Sequence, residues 1–424
     1  MELERQRRAK NGITVYDYKN PALHSFYISL FLRAGSMYEG ERENGITHFL
    51  EHAIIRNVNL LMNGSLYSLL DEYGVEFNAS TYSEMVQFYV HGAERNFEVG
   101  ARIISLVLSP IILTPEDVKT ECERIKAEIR EGDERGSLAN FTNAIVNEGT
   151  SLSRPIIGTV GSVSHVTARR LEEYRKRVFN PDNVFLYVTG NYTDEGLLAL
   201  TDVVGKVELM PGAKRENIAP VPHLFGRRDG RVQIKSADYT MVRFTFDMDM
   251  SRISMQESDL IYDLLLGGYN SRFFIEMSEN RGLFYDISGS TERYRNIGSF
   301  TFNFEVKAGS VYEAVELSLS LLSEFKNSLL QEEKMMKSGY VDNAYMLYDD
   351  VRELNFTFAY DNHIMNSSYA SLSDRVERYR AVTPSDVKHA ASELFRRENL
   401  TLTVKGSKKR IDAGRLEEII RNFE

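Results

Sequence analysis

The sequence predicts an α+β fold made of two similar domains, each a mainly antiparallel sheet packed with helices. At 424 residues the chain is too long for one ordinary hydrophobic core. Predicted strands are mixed with helices without regular βαβ alternation, which indicates α+β domains. A stretch rich in Pro, Gly and charge, residues 210–230, separates two halves of similar length. We therefore expect domains at residues 1–212 and 222–424.

The first half contains a strand and then a helix. The apolar run 26–32 predicts a buried strand, and Asn44-Gly45 then breaks the chain. A helix follows from about Ile46. Its core face is predicted by apolar residues at helical spacing, namely Ile46, Phe49, Leu50, Ala53 and Ile54. The stretch 77–90 contains a strand rich in Thr, Tyr, Phe and Val.

A second helix has a clear start signal. Thr114 can cap it, Pro115 suits the first helical position, and Asp117 lies three residues after the cap. We expect this helix to run to about Glu131 and to end near Gly132. Residues 185–190 predict another buried strand, and the second half repeats the order with strands at 242–248, 299–306 and 400–404.

Composition excludes several classes of protein. The net charge of −10 makes nucleic acid an unlikely partner; it favours either basic peptides as ligands or simple solubility. No apolar stretch is long enough for a membrane span, and the first ten residues are not those of a secretory signal. The single cysteine, Cys122, cannot form an internal disulfide and fits a reducing compartment, so we expect a cytoplasmic protein.

The strongest chemical signal is the run His48-Phe49-Leu50-Glu51-His52. Residues four apart lie on one helical face, so the two imidazoles can bind one metal ion. Glu51 is three residues after His48 and lies beside the same site. This order, His-x-x-Glu-His, is the inverted zinc-peptidase motif. The alternative is a polar helix edge with two unrelated histidines.

A catalytic zinc needs a third protein ligand and one open position. The helix after Pro115 offers several carboxylates, and Glu121 and Glu128 share a face because they are seven residues apart. Such a face is either a pair of carboxylates directed at a cation or a solvated acidic surface.

With these spacings the sequence resembles the pitrilysin and mitochondrial processing peptidase family, the inverted zincins. The family pattern continues with a Glu about 75 residues after the motif and another Glu seven residues before it. Here Glu128 follows His52 by 76 residues, and Glu121 precedes Glu128 by seven. The resemblance implies that Glu128 is the third zinc ligand, that Glu121 supports catalysis, and that the chain binds one Zn²⁺.

The resemblance extends over nearly the whole chain. Asn78-Ala79-Ser80-Thr81 is similar to the family's edge strand, which pairs with the substrate backbone and implies substrate binding at Asn78, Ala79 and Ser80. Further matches are 44–47, 155–161, 180–183, 188–191 and 267–274. The chain length is similar to that of a small bacterial subfamily whose two subunits form a clamshell, of which this chain would be one half.

Two stretches depart from the family pattern. The family's second half often carries Arg and, after six residues, Tyr, and both hold the substrate. Tyr285 fits the Tyr position, whereas Ser278 occupies the Arg position. Arg272 and Arg281 are nearby but out of register. Residues 53–59 also differ from the usual Met-Leu-x-x-Gly-Thr.

The resemblance and the site residues predict a zinc-dependent endopeptidase in which Glu51 is the general base. We expect it to be the catalytic subunit of a two-chain processing peptidase whose homologous partner lacks the zinc motif; a homodimer is the alternative. The rival function is a non-catalytic assembly or binding protein of the same fold with a structural zinc.

Overall fold

A computed structural model describes residues 3–134, 137–215, 218–219, 221, 226–328 and 344–423. Residue 222, the predicted start of the second domain, lies outside them. Within the described residues the strands are β1 (Arg5–Arg8), β2 (Thr14–Lys19), β3 (Ser25–Leu32), β4 (Glu76–Thr81), β5 (Val86–Ala93), β6 (Val184–Gly190), β7 (Arg231–Ser236), β8 (Met241–Asp249), β9 (Ile287–Arg293), β10 (Ile297–Glu305) and β11 (Leu400–Gly406).

The α-helices, again within the described residues, are α1 (Ile46–Leu61), α2 (Leu66–Tyr73), α3 (Phe97–Val107), α4 (Pro115–Glu134), α5 (Leu138–Val146), α6 (Val160–Val163), α7 (Ala168–Val178), α8 (Asp194–Gly205), α9 (Met255–Leu266), α10 (Val311–Asn327), α11 (Val351–Phe358), α12 (Leu372–Arg380), α13 (Pro384–Leu394) and α14 (Ala413–Arg421). Among the helices so described, none is both long and apolar enough to cross a lipid bilayer.

The strands form two sheets of the same design. The first has the order β1-β2-β6-β3-β5-β4 and the second β7-β11-β8-β10-β9. In the first sheet the last strand of the half, β6, pairs in parallel with β2, and in the second sheet the last strand, β11, pairs in parallel with β7. All other pairings are antiparallel. This confirms the α+β class with two mainly antiparallel sheets packed with helices.

The chain divides into two compact units, and the change from the first to the second falls between Asn217 and Ile218. Two segments depart from the predicted division. Residues Gly136–Ser153 belong to the second unit, and residues Met346–Leu372 belong to the first. Each half thus contributes one segment to the other unit, which a division at a single linker does not include.

In the first unit, the exchanged segment covers one face of the sheet. The buried amide of Asn355 on α11 donates to the backbone carbonyls of Tyr27 (3.3 Å) and Tyr187 (2.9 Å), and its oxygen accepts from the Ser29 hydroxyl at 2.7 Å. The opposite face packs on α1 and α3 through alternating apolar residues such as Phe26 and Phe88. Buried strand carbonyls thus gain partners from a distant part of the sequence.

In the second unit, α5 makes the reciprocal contact. The hydroxyl of Thr142 lies 2.6 Å from that of Thr403 on β11, and both are buried. Arg228, which is almost fully buried, pairs with Asp247 at 2.8 Å and also donates to the carbonyl of Val146 at the end of α5. This ion pair is compensated by further hydrogen bonding, as a buried charge requires.

Two predicted elements are present with different bounds. The stretch 77–90 contains two antiparallel strands, β4 and β5, joined by a tight turn in which the Tyr82 amide donates to the carbonyl of Met85 at 2.8 Å. Helix α4 continues through Gly132 to Glu134, because a single glycine lowers helix propensity without ending a helix.

Candidate metal centre

The entry to α1 fixes the position of the helix that carries the His-x-x-Glu-His run. Gly45 has φ +86°, and a Cβ there would lie 2.7 Å from the Cα of Gly158. The buried carboxylate of Glu39 then accepts from the backbone N–H groups of Gly45 (2.8 Å) and Thr47 (2.9 Å). Burial raises the pKa of Glu39, against these hydrogen bonds. An acidic residue is favourable at a helix N-terminus, yet Glu39 was not among the predicted site residues.

Helices α1 and α4 bring the three predicted zinc ligands together. The Nε2 atom of His48 lies 3.7 Å from a carboxylate oxygen of Glu128, and the Nε2 atom of His52 lies 3.5 Å from the other. One donor atom from each residue can be chosen so that all three lie within 4.8 Å of one another. The structure therefore places His48, His52 and Glu128 in one cluster, as the family resemblance implies.

This donor set fits a zinc ion. Zinc takes imidazole nitrogens and carboxylate oxygens, and tetrahedral bonds of about 2.0–2.1 Å separate ligand atoms by about 3.3–3.4 Å. The two histidines reach different oxygens of Glu128, at 3.7 and 3.5 Å, and these separations are near that value and long for direct hydrogen bonds. Burial, with a contribution from His52, lowers the pKa of His48 to about 4. His48 is thus neutral at pH 7 and can offer a lone pair.

Glu51 lies on the same helix and is buried. The hydroxyl of Thr81, at the end of β4, donates a short hydrogen bond to its carboxylate. Burial raises the pKa of Glu51, and the negative charge of Glu128 acts in the same direction, while Thr81 and His52 oppose the shift. A carboxylate whose proton affinity is raised in this way is suited to accept a proton.

Glu121 is buried behind the histidines. One of its oxygens lies 3.6 Å from Nδ1 of His52, and the other accepts from Arg56 and Arg124, each at 3.0 Å. Burial alone raises the pKa of Glu121, but the contact with His52, the charge of Arg124 and the hydrogen bond from Arg56 outweigh it and lower the pKa. Conversely, burial opposes protonation of His52, but Glu121, Glu51 and Glu128 together raise its pKa.

Two contributors to this cluster were missed by the sequence analysis. Thr81 was noted only as part of the edge-strand motif, and nothing in that motif shows that its hydroxyl reaches Glu51. Arg56 could have been found, because it follows His52 by four residues and so shares its helical face.

The predicted substrate strand lies at the edge of its sheet. β4 pairs only with β5 among the described strands, with Asn78 opposite Tyr89 and Ser80 opposite Gln87. The N–H of Ala79 donates to the side-chain oxygen of Asn78 at 2.9 Å. The backbone N–H of Ala79 therefore lies on the open side of the strand, where another chain could pair.

In the second unit, Tyr285 is 95% exposed. The hydroxyl of Ser278 donates to the carbonyl of Phe284 at 3.1 Å. Arg272 packs over Phe325 and donates to the carbonyl of Ser328 at 3.0 Å. Arg281 is half-exposed and lies 3.7 Å from Glu313. Arg272 is thus engaged within its own unit, whereas Arg281 makes only a weak surface ion pair.

Comparisons with known proteins agree in both halves. Residues 14–160 match a family model described as insulinase, peptidase family M16. Residues 165–337 match a model described as the peptidase M16 inactive domain. The first match contains His48, His52 and Glu128, and the second contains Ser278 and Tyr285.

Relatives resemble the chain along most of its length. An uncharacterized zinc protease of Streptomyces coelicolor is 24% identical over 98% of this chain and 92% of the relative. One from Rickettsia felis is 22% identical over 92% of this chain and 94% of the relative.

Solved structures show the same fold. A peptidase M16 inactive domain from Pseudomonas fluorescens covers 96% of this chain and 98% of its own at 15% identity, with a TM-score of 0.83. The periplasmic protease PqqL of Escherichia coli matches 99% of this chain with only 50% of its own, at 16% identity and a TM-score of 0.81.

Proposed function

The chain belongs to the M16 family of peptidases, and from this membership we propose that it is a zinc-dependent endopeptidase. Its substrates would be peptides or precursor peptides. The observation that carries the proposal is the convergence of His48, His52 and Glu128 beside the buried carboxylate of Glu51. Three protein donors leave a fourth position open, as catalytic zinc sites do.

In the proposed reaction the two histidines and Glu128 would hold the metal. A bound zinc supplies Lewis acidity, which polarises a carbonyl and makes a water molecule more acidic. Glu51 takes the proton from the attacking water and later gives it to the leaving amine nitrogen. The hydroxyl of Thr81 keeps the Glu51 carboxylate in one orientation.

The substrate backbone would bind as an added strand beside β4. Its carbonyl oxygens would accept from the free side of the strand around Ala79, after displacing the side chain of Asn78 from the Ala79 amide. Because Thr81 at the end of the same strand contacts Glu51, a peptide bound there extends towards the general base. Backbone pairing requires little of the substrate side chains.

We further propose that the chain is the catalytic subunit of a two-chain enzyme in the cytoplasm. A homologous partner without the zinc motif would supply the Arg and Tyr that hold the substrate, since Ser278 replaces that Arg here. Two facts support the assembly of two such chains: Tyr285 is exposed, and the match to this chain covers 50% of PqqL. The single cysteine supports a reducing compartment.

A non-catalytic protein with a structural zinc is the second candidate, and the description "inactive domain" favours it. That description, however, applies to residues 165–337, whereas every proposed ligand and the general base lie within residues 14–160. Structural zinc sites usually have four protein ligands, often cysteines. The described part of the chain offers three donors at this site.

The test measures zinc content and peptide cleavage for the purified chain, alone and with a homologous chain that lacks His-x-x-Glu-His. We expect about one zinc per chain and cleavage that rises strongly when the partner is added. Zinc without cleavage in either sample would favour the structural role. Rapid turnover by the chain alone, unchanged by the partner, would support the homodimer.

A further inference from the structure

Arg56 links the two helices that carry the proposed ligands. It follows His52 by one turn of α1 and extends to two carboxylates on α4. Its Nε and Nη2 atoms donate to one oxygen of Asp117 at 3.0 and 2.7 Å, and its Nη1 donates to Glu121 at 3.0 Å. The planar guanidinium thus holds both acids at fixed positions relative to α1.

Asp117 is itself fixed at the start of α4. Its second oxygen accepts from the hydroxyl and the amide of Thr114, at 2.6 and 3.0 Å, and its own amide donates back to the Thr114 hydroxyl at 3.2 Å. This reciprocal cap sets the first turn of the helix. One oxygen of Asp117 accepts from Thr114 in the cap and the other accepts from Arg56. The arginine is therefore bonded to a carboxylate that the helix cap keeps in place.

Glu121 divides its oxygens in a similar way. One accepts from Arg56, and the other faces Nδ1 of His52 at 3.6 Å. When Nδ1 of His52 points at Glu121, its Nε2 is left facing Glu128. Among the described residues, the Glu121 carboxylate contacts the helix that carries His52 through two side chains, His52 and Arg56. Without Arg56, only the contact with His52 would remain.

We propose that Arg56 is a positioning residue of the metal centre: it holds Glu121 in the orientation that presents Nε2 of His52 to the ion. The inference rests on the zinc site proposed above. Groups that orient a metal ligand typically contribute about 10–100-fold in metal affinity or activity.

Arg124 provides a matched control. It contacts the same oxygen of Glu121 at the same distance of 3.0 Å, but its side chain is 64% exposed and comes from the same helix as Glu121. It therefore cannot fix Glu121 relative to α1. Removing Arg124 changes the charge near Glu121 as much as removing Arg56 does, without removing the link between the helices.

The experiment measures zinc affinity of the full chain by chelator competition, together with the visible spectrum of the cobalt-substituted protein. We expect Arg56→Gln to weaken zinc binding about 10-fold or more and to change the cobalt spectrum. Arg124→Gln should change both much less than Arg56→Gln does. Arg56→Lys keeps the charge without the planar fork, so it should fold normally and give an intermediate affinity.

Equal affinity in wild type and Arg56→Lys, with an unchanged cobalt spectrum, would overturn the proposal, as would equal losses in the Arg56→Gln and Arg124→Gln variants. If Arg56→Gln does not fold, the Arg56→Lys comparison decides. A wild type that binds no zinc would overturn both this proposal and the proposed function. Zinc binding with the expected pattern but no peptide cleavage would contradict only the proposed function.

Discussion

Replacing Glu51 by Gln separates metal binding from proton transfer. The amide has nearly the same shape as the carboxylate, and Glu51 is only 8% exposed, so the surrounding packing should be kept. The amide cannot accept the proton from water. Loss of a general base typically costs about 10²–10⁴-fold in rate, which corresponds to about 2.7–5.4 kcal/mol of transition-state stabilisation. We expect a loss of that size in kcat and an unchanged zinc content.

Thr81→Val measures how much the hydrogen bond from Thr81 to Glu51 contributes to the rate. It removes one hydrogen bond to the Glu51 carboxylate and leaves the base in place. A hydrogen bond to a charged group contributes about 1.5–3 kcal/mol, so we expect a loss of about 10–100-fold, smaller than that of Glu51→Gln.

The assay follows kcat and KM on a fluorogenic peptide, with zinc measured in the same samples by mass spectrometry. Thermal unfolding of each variant serves as the folding control. A Glu51→Gln variant with full zinc and ordinary turnover would refute the assignment of the base. Loss of zinc in that variant would show that Glu51 is a ligand, and the three-donor site would then be incorrect.

Four further predictions concern the site and its supports. Replacement of His48 by Ala should reduce zinc from about one ion per chain to a trace, since two donors bind far more weakly; full retention in elemental analysis would exclude His48 as a ligand. Glu121→Gln should lower kcat more than zinc affinity, because its amide oxygen can still accept from the histidine; loss of zinc here but not in Glu128→Gln would reverse the two roles. Gly45→Ala should destabilise the protein by about 1–3 kcal/mol in urea unfolding, since φ is +86° and the new Cβ would lie 2.7 Å from backbone; an unchanged midpoint would contradict the packing. Asp263→Asn should raise the melting temperature at pH 8 but not at pH 4. Burial, followed by Asp259, raises the pKa of Asp263 to about 6, so the native state loses stability as pH rises through that value; an equal effect at both pH values would argue against this carboxyl.

The pairing of His48 with His52 could be predicted from helical periodicity, whereas the choice of Glu128 as the third ligand came from the family resemblance. His48 and His52 share a face whatever surrounds them, and the spacing of Glu121 and Glu128 likewise puts both on one side of a helix. The start of α4 could be predicted equally well, since the cap by Thr114 is a local interaction. The five residues predicted for the core face of α1 are all buried, and Val58, which was not among them, is buried as well.

The parts that could not be predicted depend on long-range packing. No local pattern shows that Thr81, 30 residues after Glu51, donates to it. The same holds for Asn355, whose partners Ser29 and Tyr187 lie 326 and 168 residues away. The exchanged segments follow from such contacts, so a division at the linker was the natural but incomplete reading. Helical periodicity also says nothing about binding to a partner chain, so the two-chain assembly stays a prediction.

The exchange of segments has a consequence for biosynthesis. As the ribosome releases the first half, the aromatic face of its sheet around Tyr187 emerges before the helix that covers it. That cover includes Val351, whose carbonyl accepts from the Thr189 hydroxyl across 162 residues. At a synthesis rate of about 5–20 residues per second, roughly 8–30 seconds pass between the emergence of Thr189 and that of Val351. During that interval this face of the sheet is open to other apolar surfaces, and a chain truncated at the linker would lack the segment 346–372 that belongs to the first unit.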